Sequence, residues 1–207
     1  MIKRLLPICS IAIFGLATSF ANASTITFPT STDGMCCFNV QVTQVTANDV
    51  QVQVNLVSGA ESFVHSGNSN HPGFAFNLDG SPTISLVFPS GSLWTGTALQ
   101  TADVSNGPSF GDFEYWFDNP GSGAGDAGPL VFDIVSSSAI SYQSFIQNAD
   151  GYYFAADIQG SNGLTGEAAL SGDPTPPTST VPEPSSLMLL GTGILGAAGA
   201  VRRRLAA

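Results

Sequence analysis

Residues 48–59 read NDVQVQVNLVSG, so that Val50, Val52, Val54 and Leu56 alternate with Gln51, Gln53 and Asn55. Side chains along a strand point to opposite faces in turn, whereas apolar positions on a helix recur every three to four residues. The alternation therefore predicts a strand with one dry and one wet face. The same period of two is seen at Phe38, Val40, Val42; at Phe74, Phe76, Leu78; at Ile84, Leu86, Phe88; and at Leu130, Phe132, Ile134. Phe113, Tyr115, Phe117 and Phe154, Ala156, Ile158 repeat it. Between these runs stand the turn-forming clusters SGNSNHPG, LDGSP, SNGPSFG and DNPGSGAGDAG. Many short strands punctuated by Gly, Pro, Asn and Asp predict an all-β, antiparallel β-sandwich or jelly-roll-like domain. One stretch departs from this pattern: SYQSFIQNADG predicts a short helix with Tyr142, Phe145 and Ile146 on one side, ended by Gly151.

The two ends differ from this body. Lys3 and Arg4 precede an apolar run from Leu5 to Leu16, and Ala21 and Ala23 place small residues before Ser24. That order predicts a secretory signal peptide, residues 1–23, cut after Ala23. The sandwich domain is expected over 24–171. Residues 172–181 are rich in Pro and Thr and predict an extended linker. Beyond them Leu187 to Val201 carries no charge and spans roughly 22 Å if helical, short of the hydrocarbon core at about 30 Å. Such a helix inserts marginally, which suits a temporary membrane anchor. Arg202, Arg203 and Arg204 then act as a stop-transfer cluster held on the cytoplasmic side, leaving the body outside.

In 182–207, Pro182-Glu183-Pro184, the apolar run and the arginine cluster follow one another, and this order resembles the PEP-CTERM sorting signal of Gram-negative, exopolysaccharide-producing bacteria. The resemblance implies recognition by a membrane-embedded exosortase, cleavage near Pro182-Glu183-Pro184, and delivery to the outer envelope, cell surface or extracellular matrix. HPGFAFNLDG and GYYFAADIQGSNG are also similar to body segments of uncharacterised PEP-CTERM proteins, a similarity that implies no activity.

Charge narrows the function further. All five Lys and Arg lie in the leader and the tail, while all 15 Asp and Glu fall between Asp33 and Glu183. A body without one Lys or Arg cannot neutralise phosphates, so nucleic acid is excluded as a partner. Buried carboxylates there must be met by backbone N–H, hydroxyl, His or a metal ion. No cofactor is expected; calcium is the metal to consider, with solvated turn carboxylates as the alternative. After leader removal Cys36 and Cys37 remain, and three states stay open: a vicinal bridge, bonds to another chain, or a reduced pair.

Two motif matches carry no chemistry. Gly107-Pro108-Ser109-Phe110-Gly111 fits G-x-S-x-G but is followed by an aromatic strand instead of a helix. The run from Gly191 to Gly196 fits a dinucleotide fingerprint but lies in the apolar tail. His65 and His71 flank SGNSN and supply two metal ligands without an evident third. Asp118 and Asp126 stand in the oxygen-rich, glycine-bent stretch that would suit calcium, without the spacing of an EF-hand. In GDFEYWFDN, inward Phe113, Tyr115 and Phe117 would leave Asp112, Glu114, Trp116 and Asp118 outside. Trp beside carboxylates suits contact with a glycan ring and its hydroxyls. The expectation is a non-enzymatic structural or adhesive protein associated with exopolysaccharide. The alternatives are a carbohydrate-binding module or an envelope glycan hydrolase using Asp112 and Glu114, which would stand roughly 6.6 Å apart on one strand.

Overall fold

A computed structural model describes residues 25–29, 33–34, 37–65, 72–94, 96–101, 104–105, 110–118, 123–175, 193 and 202. Both expected termini, including the signal cleavage site at Ala21 and Ala23, lie outside this set except for Gly193 and Arg202. The strands are β1 (Thr25–Phe28), β2 (Asp33–Gly34), β3 (Phe38–Thr46), β4 (Asp49–Leu56), β5 (Ala60–His65), β6 (Phe74–Leu78), β7 (Ile84–Val87) and β8 (Val104–Ser105). They continue with β9 (Asp112–Phe113), β10 (Tyr115–Phe117), β11 (Gly123–Asp126), β12 (Leu130–Ser136), β13 (Phe145–Ile146), β14 (Phe154–Gly160) and β15 (Thr165–Leu170).

The period-two signal of β4 is realised as a central strand of a five-stranded antiparallel sheet ordered β1-β3-β4-β12-β7. Val40 faces Val54 and Val42 faces Val52 across β3 and β4, and Phe132 faces Val52 from β12. All are buried, while the intervening Gln41, Gln53, Thr43 and Gln51 are half-buried on the other side. β-branched and aromatic side chains pack well on a pleated surface, and here the hydrophobic set fixes the register.

The second sheet runs β10-β6-β14-β15-β2, with β5 joined to β14 and β11, and β13 joined to β6. Its inner face meets the first sheet through an aromatic seam. The Phe74 ring lies 5.8 Å from Phe132 of the opposite sheet, 5.9 Å from Phe117, 5.7 Å from Phe154 and 6.4 Å from Phe38. Such ring pairs add about 0.5–1.5 kcal/mol each beyond the area they bury. Two sheets packed face to face around one core are what the alternation predicts.

A smaller cluster lies on the outside of the second sheet. Ala75, Ala155 and Ala169 are fully buried in one cross-strand row that continues to Trp116. Phe110 and Phe113 pack on these alanines, with Trp116 and Tyr152 at the margin. The small side chains leave room for this second layer. They also explain why β15, TGEAAL, escapes a reading by periodicity: alanine and glycine carry little strand preference of their own.

Two expectations are corrected. The chain bends at Glu114, so β9 and β10 are separate, and Phe113 joins the outer cluster while Tyr115 and Phe117 enter the main core. Residues 141–151 form no helix of several turns. Tyr142–Ser144 is a single 3-10 turn capped by Ser141, and the chain then extends at Phe145 to pair with β6. That pairing buries Phe145 beside Phe154 and Phe76, at 5.3 and 6.0 Å, and leaves Ile146 at the surface.

The glycines of GAGD in β11 serve close approach. A Cβ on Gly125 would stand 1.1 Å from the Phe63 carbonyl oxygen of β5. Backbone cannot yield as a flexible side chain does, so Gly125→Ala should destabilise the protein by about 3 kcal/mol. A fall in the urea midpoint at unchanged slope would show this; a change under about 0.5 kcal/mol would contradict the packing of β11 on β5.

Candidate functional site

Glu114, at the bend between β9 and β10, accepts a hydrogen bond from the Ser81 hydroxyl at 2.8 Å, and its own backbone N–H donates to Asn77 Oδ1 at 2.7 Å. Next to it the Tyr115 hydroxyl donates to the Pro82 carbonyl at 2.6 Å. Burial first, and then the charge and hydrogen bonding of Glu114, push the Tyr115 phenol up to about 12. Asp112 is exposed and pairs through its backbone with β8. Of the two carboxylates of the hydrolase alternative, Asp112 thus lies on β9 and Glu114 at the bend that follows it. Glu114 is tied into the Ser81–Pro82 turn instead of facing Asp112 across a cleft.

Trp116 is half-buried beside the alanine row, and its backbone exchanges hydrogen bonds with Gln100 at 2.8 and 3.2 Å. Its ring is part of the outer cluster, so only a portion is open to a ligand.

The tryptophan that organises this region is Trp94, which periodicity does not reveal because it lies outside any strand. It is fully buried, edge-on to Phe63 at 5.9 Å and to Phe117 at 5.6 Å. Its indole N–H donates to Asp126 Oδ2 at 3.1 Å, and Asp126 Oδ1 accepts from the Gly128 N–H at 3.0 Å. An indole N–H usually has a partner when buried, and a carboxylate acceptor at this distance is a suitable one. The benzo edge of Trp94 lies against Gly73, where a Cβ would come within 2.8 Å of the ring and 3.2 Å of Asp118 Oδ1. Asp126 thus bonds the indole nitrogen, while Asp118 Oδ1 lies beside Gly73. Among the described residues no three His, Cys, Asp or Glu side chains are grouped to hold a metal ion. His71 lies outside the described residues, and His65 is placed by its backbone in β5 opposite Gly123. Cys37 is disulfide-bonded, which removes the reduced pair from the three cysteine states.

The outer faces of the two sheets differ in chemistry. On the second, Asp157, 5% exposed, stands directly opposite Glu167 across β14 and β15. On the first, Asn39 faces Asn55, Gln41 faces Gln53, and Thr43 faces Gln51. Asn55 donates to Asn39 Oδ1 at 3.0 Å and Gln53 donates to Asn55 Oδ1 at 2.7 Å. This amide array was legible as the wet side of an alternation, but not as one continuous surface.

A family model for the PEP-CTERM protein-sorting motif matches residues 180–204. The match contains Pro182-Glu183-Pro184, the apolar run and Arg202, Arg203 and Arg204. A motif of this kind marks its carrier for processing by an exosortase, a membrane enzyme, and for export to the cell envelope or surface. No curated protein and no solved structure gives a significant match to the chain. Among the described residues no helix is long and apolar enough to cross a membrane; the expected sorting helix lies outside them except for Gly193.

The buried phenol of Tyr115 sets an alkaline limit. Between about pH 10 and 12 the unfolded chain releases this proton while the folded chain keeps it, so stability is lost as pH rises through that window. Tyr153, raised by burial and then by Asp173, adds to the same slope. Thermal midpoints from about pH 9 to 12 should therefore fall less steeply in Tyr115→Phe than in the parent. Parallel slopes would contradict the phenol's placement.

Proposed function

We propose that this chain, which carries the PEP-CTERM sorting motif at residues 180–204, is exported and becomes a non-enzymatic structural or adhesive component of the cell surface or extracellular matrix, associated with exopolysaccharide. The matched motif is the observation that carries the reading. The body supports it in two ways. Its acidic residues have no basic side chain to attract nucleic acid or anionic lipid, which leaves neutral, hydroxyl-rich polymers as the fitting partners. Glu114, the acid a glycan hydrolase would use, has its carboxylate engaged by Ser81 in a turn.

The apolar segment holds the chain in the inner membrane before processing, the arginines keep the far end in the cytoplasm, and the Pro/Thr-rich stretch at 172–181 presents the cleavage site to the exosortase. Replacing Pro182-Glu183-Pro184 by three alanines in the native host should leave a longer, membrane-retained species, seen by fractionation and immunoblot. A product of normal size at the surface of that mutant would refute the sorting assignment. Release of sugar from matrix polysaccharide, abolished by Glu114→Gln, would overturn the non-enzymatic reading.

A further inference from the structure

We infer that the outer face of the five-stranded sheet, along the row Thr27, Gln41, Gln53 and Val131 and into the hollow beyond Val131, is the surface that binds an extended, uncharged polysaccharide chain. The inference rests on the proposed glycan association and moves the contact away from Asp112, Glu114 and Trp116.

Register places these four residues side by side on consecutive strands: Thr27 opposite Gln41, Gln41 opposite Gln53, and Gln53 opposite Val131. Neighbouring strands lie about 4.8 Å apart, close to the advance of one pyranose unit along an extended polymer, so one side chain meets each sugar. The chemistry matches as well. A primary amide offers two donors and an acceptor, and a sugar hydroxyl is both donor and acceptor. The bond from Gln53 to Asn55, and that from Gln51 to Asp133 at 3.1 Å, each use one amide hydrogen and hold the side chains in place while leaving further capacity.

The row does not stop at the sheet. Val131 also lines a hollow of about 320 Å³ whose wall includes Ser90, Ser92, Leu93, Asp126 and Pro129. Leu93 is 64% exposed there, an apolar side chain for the carbon face of a sugar. Serine hydroxyls and the Asp126 carboxylate, fixed by Trp94 and Gly128, supply polar partners. Fixed polar groups beside apolar side chains suit a ligand that offers both hydroxyls and carbon faces.

Charge selects the occupant. The carboxylates on this face are Asp133, in the row next to Gln41–Gln53, and Asp49, one row further toward the β3–β4 turn, while Asp126 lines the hollow. An acidic polymer, or a second copy of this acidic body, would meet like charge with no Lys or Arg in the body to offset it, whereas a neutral polymer brings none.

The test uses the full chain in detergent, pulled down on two linear uncharged glucans, amorphous cellulose and curdlan, and on resin-coupled polygalacturonate as the acidic counterpart. Retention is expected on at least one glucan and not on polygalacturonate. Gln41→Ala with Gln53→Ala should weaken it about tenfold, in keeping with two lost neutral hydrogen bonds, while the urea midpoint falls only as far as loss of the Gln53–Asn55 bond lowers it. Equal retention on polygalacturonate would overturn the charge argument. Loss in Trp116→Ala with retention in the double variant would move the contact to the other sheet, leaving the glycan reading standing and this inference refuted. No retention on either glucan refutes the inference; if the protein still fractionates with the matrix of its host, the broader function survives. A double variant that dissociates an oligomer in sedimentation, with glucan binding intact, would assign the face to contacts between copies and overturn the inference.

Discussion

The body of this protein must fold without a single Lys or Arg side chain, and that constraint shapes its polar contacts. A carboxylate that approaches the interior cannot turn to Lys or Arg, and an unpaired buried charge costs several kcal/mol. Asp126 takes the indole N–H of Trp94 and the backbone N–H of Gly128, Glu114 takes the Ser81 hydroxyl, and Asp133 takes the Gln51 amide. With no Lys or Arg to form ion pairs, cohesion comes from the aromatic seam between the sheets, where Phe74, Phe117, Phe132 and Phe154 bring their rings within 6 Å of one another in successive pairs.

The same constraint leaves the two outer faces unlike each other. The outside of the second sheet is closed over its alanine row by Phe110 and Phe113 and carries the Asp157–Glu167 pair. The outside of the first sheet has no such cover among the described clusters and presents amides and hydroxyls, with Asp133 and Asp49 toward the β3–β4 turn.

Periodicity made the main core legible: the valines of β3 and β4, the alternation of β12 and the phenylalanines of β6 and β14 all stand where a period of two puts them. It failed where backbone bends or small residues decide. Phe113 keeps the alternation on paper yet changes layer because Glu114 turns the chain. Phe145 and Ile146 look helical in spacing but are drawn into pairing with β6 by the aromatic pocket around Phe28, Phe76 and Phe154. The glycine stretch at Gly123–Asp126 has the composition of a cation loop, and its geometry is that of a strand pressed against Phe63. Trp94 lies in an irregular segment, so its role became visible only with the Asp126 carboxylate beside its indole.

Export of an acidic body away from its cationic ends is the claim on which the function depends. Intact mass of the protein recovered from the native host's surface tests it most directly. The predicted mass lacks the leader through Ala23 and the arginine-bearing segment beyond Pro182-Glu183-Pro184. A protein of full length, with all five basic residues still attached and recovered from the cytosol, would contradict it.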